Sequence, residues 1–212
     1  MDPWRRGVDV FGWRSAEILA WTLGIVCLGA WAGSRVSSEL GRRDALAQFQ
    51  NPRLLAVGLS PDQSLWSPER IRAFREVLKH PSPQPIAILR IRQLGIEVPV
   101  LEGTNDRVLD RGAGHIAETS APGAPGNSGI AGHRDGFFRP LKDVQRGAVL
   151  ELETPQGVTK YRVDRAWIVA PEDVWVLDPT PYDAVTLVTC YPFYFIGSAP
   201  QRFIVRAVRE SS

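Results

Sequence analysis

Residues 185–190 read Val185-Thr186-Leu187-Val188-Thr189-Cys190. The run is short, apolar and β-branched, with Pro192 just beyond it, which is the chemistry of a buried strand. Runs of the same kind recur at 203–208 downstream and, upstream, at 159–169, 148–153, 129–132, 97–101 and 86–91, separated by glycine, proline or acidic turns. Seven or eight strands within about 125 residues, with little helix between them, point to a mainly β domain closed as a barrel or stacked as a sandwich. The glycine- and proline-rich region 112–132 cannot be strand throughout and reads as a long ordered loop. It lacks the Gly-Lys-Ser/Thr ending of a phosphate loop, so it offers no nucleotide cradle.

Upstream of Pro85 the pattern differs. The 212 residues allow one globular domain and one anchor, not two full domains. Between Glu17 and Arg35 no charge occurs, and Ile18-Leu-Ala-Trp-Thr-Leu-Gly-Ile-Val-Cys-Leu-Gly-Ala-Trp-Ala-Gly-Ser34 is the membrane candidate. Its apolar core sits at the short end of the ~17–25 residues a spanning helix needs, so a signal peptide or a buried helix is the alternative. The expected organisation is a cytoplasmic segment at 1–16, a transmembrane anchor at 17–34, a stalk at 35–84 and the folded domain at 85–212. No core is visible in the stalk. Its one clear helix opens at Ser67-Pro68-Glu69, an N-cap followed by proline at the first helical position, with Ile71, Phe74 and Leu78 on one face. The Pro81-Ser-Pro-Gln-Pro85 run stops it near His80. Net charge is +2 and the arginines are scattered, which disfavours nucleic acid as a partner.

Cys27 falls in the apolar segment and reads as a small apolar residue, leaving Cys190 as an unpaired thiol in the folded domain. Two further side chains are of types that acyl transfer uses: His133, in Ile130-Ala-Gly-His-Arg-Asp135, and Arg202, in Gln201-Arg-Phe-Ile-Val205. Singly, each has an ordinary structural explanation, as buried small hydrophobe, satisfied polar residue and surface arginine. Together they supply a thiol, a base or cation to ionise it, and a positive group for the oxygen of a tetrahedral intermediate.

The Thr186-Leu187-Val188-Thr189-Cys190 stretch resembles the TLxTC signature of the sortases. His133 and Arg202 stand where that family has its histidine and its arginine. The strings Gly123-Ala-Pro-Gly-Asn-Ser-Gly-Ile-Ala-Gly-His-Arg-Asp135 and Thr189-Cys-Tyr-Pro-Phe193 look most like class D sortases. The resemblance implies an eight-stranded sortase barrel behind an N-terminal membrane helix and stalk, with the catalytic domain outside the cytoplasm. Cys190 would attack the threonyl carbonyl of an LPxTG-like sorting signal in a secreted protein. An amine, from a cell-wall precursor or a pilin lysine, would then resolve the thioacyl enzyme. By analogy His133 is the acid/base and Arg202 steadies the oxyanion, with Arg206 as the rival arginine on the same strand face. Thr189 is expected to assist at the oxyanion, and His115 is expected either beside the substrate groove or in a loop-ordering hydrogen bond. No cofactor is implied, and the calcium ligands of some sortases find no residue-by-residue match.

At unshifted pKa values of about 8.5 and 6.5, some 3% of the cysteine is thiolate and about a quarter of the histidine is protonated at pH 7. An uncoupled pair is then active in under ~1% of molecules. Two other readings stay open on the residues alone: a cysteine peptidase that hydrolyses the same intermediate, and a non-enzymatic β domain with an inert cysteine.

Overall fold

The computed structural model describes residues 61–194 and 197–210. The expected anchor at 17–34 and the start of the expected stalk lie outside the described residues. Eight strands form: β1 (Ala87–Ile91), β2 (Ile96–Glu102), β3 (Ala113–His115), β4 (Asn127–Ala131), β5 (Val149–Thr154), β6 (Gly157–Val169), β7 (Ala184–Tyr191) and β8 (Gln201–Arg209). They close into a barrel in the order β1-β2-β3-β4-β7-β8-β6-β5. Neighbours are antiparallel except β2 with β3 and β4 with β7, which run parallel.

All seven expected runs are strands. The eighth, β3, lies inside the region expected to be loop, and its three residues Ala113, Gly114 and His115 carry no strand signal of their own. Tertiary pairing makes it a strand, because it sits between β2 and β4 and completes the closure. A Cβ on Gly114 would lie 2.2 Å from the Gly103 carbonyl oxygen, so only glycine permits that approach.

Alternation sorts the side chains into two faces. The barrel interior takes Leu89, Ile91, Val98, Val100, Ile130, Leu150, Leu152, Val185, Leu187 and Val205, all at most 1% exposed. A smaller cluster of Val169, Val176 and Ile204 forms separately, beneath the one-turn 3-10 segment Val174–Leu177 that links β6 to β7.

The helix α1 (Pro68–Val77) starts where the capping chemistry places it, with Ser67 Oγ accepting from Arg70 N at 3.1 Å. It ends at Val77, three residues before His80, and the His80 carbonyl accepts from Arg111 at 2.9 Å. One expectation changes here. No core was visible in the stalk, yet Trp66 and Phe74 belong to the barrel's own cluster. Their rings meet Phe137 edge-on, at 4.8 Å for Trp66 and 5.9 Å for Phe74. The partner Phe137 is 63 residues from Phe74 and 71 from Trp66 in sequence, so the contact is invisible to local periodicity. A second helix, α2 (Asp106–Arg111), is also unexpected; Asn105 caps it by accepting from Val108 N at 3.1 Å. Phe74→Ala removes a ring that is 2% exposed, and should destabilise the domain by about 3–5 kcal/mol in urea unfolding.

Candidate active site

Cys190 is the penultimate residue of β7, and Arg202 is its direct cross-strand partner on β8. On the other side of β7, Ala131 of β4 pairs with Val188, and Gly132 N donates to the Val188 carbonyl at 3.1 Å. Because β4 and β7 are parallel, the next residue, His133, emerges level with Cys190. A Cβ on Gly132 would lie 2.6 Å from the Phe138 ring, so glycine is what lets the chain turn there against the core. Cys190, His133 and Arg202 line one cavity of about 750 Å³ with Arg139, Tyr194 and the first turn of α1. The Arg139 guanidinium lies over the Tyr194 ring, 4.3 Å from its centre, a cation–π contact.

The cysteine is free and partly exposed. Arg202 donates only to backbone oxygens among the described residues, Ala199 at 3.3 Å and Gln201 at 3.1 Å, both through Nη1. Its remaining N–H groups are free to serve an anionic oxygen formed next to Cys190. Arg206 is elsewhere. It is 6% exposed, donates through Nε to Thr186 Oγ1 at 3.1 Å, and is also bonded to the Val176 carbonyl. Four residues separate the two arginines, roughly 13 Å along a strand, and β6–β7 chain covers the second.

His133 is mostly buried, and among the described residues its Nε2 has no hydrogen-bond partner. The nearest acidic oxygen, Asp110 Oδ1, is 3.4 Å away. Burial pushes the imidazole below the ordinary histidine value and Arg70 adds to the effect, while Asp110, Asp135 and Asp106 pull upward without cancelling it. The imidazolium fraction at pH 7 is therefore smaller than the roughly one quarter of an unshifted histidine.

The two residues expected to contact substrate are placed differently from each other. Thr189 is 2% exposed and donates through Oγ1 to the Gly132 carbonyl at 2.7 Å. Its neighbour Cys190 faces the cavity, and alternation turns Thr189 to the opposite face, with its one proton already committed. What it touches is the peptide leading into His133. His115 is 5% exposed and does not line the cavity. Its Nε2 faces the Ser120 carbonyl at 3.0 Å and its Nδ1 faces Glu102 at 3.1 Å. That is the loop-ordering arrangement, pinning the turn after β3.

Sequence reasoning missed Asp110 and Arg70. The Asn105-Asp106 cap could have flagged the helix that carries Asp110, but Arg70 looked like any exposed helix arginine. Asn127 was missed as well: it donates to the Val176 and Asp178 carbonyls and accepts from Thr186, holding the β6–β7 connection against the sheet. No group of three or more His, Cys, Asp or Glu is placed to hold a metal ion among the described residues.

A family profile described as the sortase domain matches residues 89–210, more than half of the chain. The chain belongs to the sortase family. This sortase is 32% identical over 127 residues to Sortase D of Bacillus subtilis (strain 168), a match covering 59% of this chain and 64% of that protein. It therefore spans less than two thirds of that relative's length. Among solved structures it is similar to a Clostridium perfringens Sortase D5 transpeptidase, with 26% identity and TM-score 0.56, covering 66% of this chain and 89% of that one. It is also similar to a mutant of sortase E from Streptomyces avermitilis, with 35% identity and TM-score 0.51, covering 60% and 88%. Thr189→Val in this sortase leaves the buried Gly132 carbonyl without its donor. The expected cost is about 1–3 kcal/mol in urea unfolding, with slower turnover at an unchanged thiol titre.

Proposed function

We propose that this sortase is a cysteine transpeptidase acting on secreted proteins with an LPxTG-like sorting signal. The observation that carries the reading is the convergence of Cys190, Arg202 and His133 on one cavity from three adjacent strands or strand ends. In the first half-reaction the Cys190 thiolate attacks the threonyl carbonyl carbon. The oxygen becomes anionic beside Arg202, and the peptide C–N bond then breaks as His133, as imidazolium, gives its proton to the departing amine. The product is a thioacyl enzyme and neutral His133. In the second, an acceptor amine attacks the thioester carbon, neutral His133 takes its proton, and the C–S bond breaks to regenerate the thiolate. Water competes for the same intermediate, so the acceptor decides whether the outcome is transfer or hydrolysis.

We place this domain outside the cytoplasm, tethered by a single pass at 17–34. That placement rests on the uncharged stretch of the sequence, since among the described residues no helix is long and apolar enough to cross a membrane. The acceptor class, a cell-wall precursor amine or a pilin lysine, follows from the family resemblance.

The test uses the full chain in detergent with an LPxTG-type peptide and an excess of amine. Amide should form through a trappable thioester on Cys190, and Cys190→Ala should abolish both; acid as the sole product would establish a peptidase instead. The pH profile of transfer should be bell-shaped. Because the folded His133 value is lowered, the limb belonging to His133 should fall below about pH 6.5. A profile with no acid limb down to about pH 4 would exclude the pair.

A further inference from the structure

Helix α1 lies outside the barrel, yet Ser67, Pro68, Glu69 and Arg70 line the cavity that holds Cys190. Arg70 is the centre of that contact, with its side chain only 17% exposed. Its Nε donates to Asp135 Oδ1 at 3.1 Å, and its Nη1 pairs with Asp110 Oδ1. Asp135 is held from a second direction, accepting from Ser67 Oγ at 2.8 Å, while its backbone carbonyl accepts from Ser67 N at 3.3 Å. The loop carrying His133 also packs on the stem of Arg70: a Cβ on Gly136 would lie 3.3 Å from its Cγ and Cδ.

The oxygen of Asp110 that Arg70 holds is the same Oδ1 that stands 3.4 Å from His133 Nε2. That approach falls short of a hydrogen bond, and Nε2 is left without a hydrogen-bond partner among the described residues. One carboxylate oxygen thus has two claimants, and the arginine has it. We propose that Arg70 is a positioning residue for His133: by holding Asp110 and Asp135 it prevents a closed histidine–aspartate hydrogen bond and keeps the ring able to exchange its proton. The proposal deepens the transpeptidase reading and rests on His133 being its acid/base. The second half-reaction needs neutral His133 to accept a proton from the acceptor amine. An aspartate bonded to Nε2–H would favour the imidazolium and take that base away.

Other charged groups share the surroundings of His133. Asp106 accompanies Asp110 on α2, and Glu69 accompanies Arg70 on α1. Arg134 and Asp135 follow His133 in its own loop; Arg139, Cys190 and Arg202 line the cavity. Of the carboxylates, Asp110 alone is within ion-pair distance of the ring among the described residues. Removing Arg70 frees Asp110 and removes a nearby positive charge, so both effects favour the protonated ring. Removing the Asp110 charge acts in the opposite sense.

The experiment is an NMR titration of the His133 ring in the full chain, in detergent and without substrate, for wild type, R70Q, R70K and D110N. Thermal melting checks each fold. R70Q should move the His133 midpoint up by about one pH unit and D110N should move it down. R70K keeps a charge but lacks the planar fork that spans both carboxylates, so its midpoint should rise by less. The limb of the transfer profile assigned to His133 should move with the midpoint, as a change in kcat at constant KM. A folded R70Q with an unmoved or lowered midpoint overturns the proposal. If R70Q does not fold, an unmoved R70K overturns it in the same way. The titration needs no substrate, so its failure is distinguishable from failure of the transpeptidase reading, which the product assay decides.

Discussion

Parallel pairing of β4 with β7 sets the level at which His133 leaves the sheet. Ala131 lies against Val188, and two residues further on the chain has reached His133 just past β4 on one side and Cys190 in β7 on the other. A slip of one residue would turn Cys190 into the barrel interior and bring Thr189 out in its place. The register is held from both faces. The Thr189–Gly132 bond locks it inside, and the Asn127–Thr186–Arg206 hydrogen bonds lock it outside. These buried polar groups are satisfied by one another, which makes their geometry specific to this pairing.

The same division of faces explains why similar residues have different surroundings. Arg202 and Arg206 both follow the alternation of β8, but the Val174–Leu177 segment covers one and leaves the other at the cavity. The covered guanidinium serves as a hydrogen-bond hub, while the open one retains donors for a ligand. Thr189 and Cys190, though adjacent, face opposite ways. The threonine contributes to the site through the backbone it holds.

Helix α1 ties this arrangement to chain that precedes the barrel. Its apolar side is fixed by Trp66, Phe74 and Phe137, and its first turn by Arg70 and Ser67 on Asp135. Burial pushes the Asp135 carboxyl up, and the Ser67 hydrogen bond with the Arg70 charge outweighs it, leaving the group below its ordinary value. Such a group contributes stability that is present above its unfolded pKa and lost as pH falls through the lowered folded value. The Asp135 carboxylate that fixes the histidine loop is thus charged at neutral pH. His133 sits beneath it with a nitrogen that has no hydrogen-bond partner among the described residues, and such unsatisfied polar atoms are rare in an ordinary core.

Much of this was legible in the residues themselves. Seven strands announced themselves through β-branched runs, because strand packing selects those side chains locally. Ser67 and Pro68 marked the start of α1, and the cysteine, histidine and arginine were identified by type and by the TLxTC-like string. Local pattern could not supply β3, whose three small or polar residues become a strand only between two neighbours. Nor could it reveal that Phe74 belongs to the barrel core, that Arg202 rather than Arg206 opens on the cavity, or that His115 orders a turn. The Arg70–Asp110–His133 relation lies furthest from the sequence. It joins two helices and a strand end, and whether the arginine or the histidine holds that one carboxylate oxygen is set only by the closed fold.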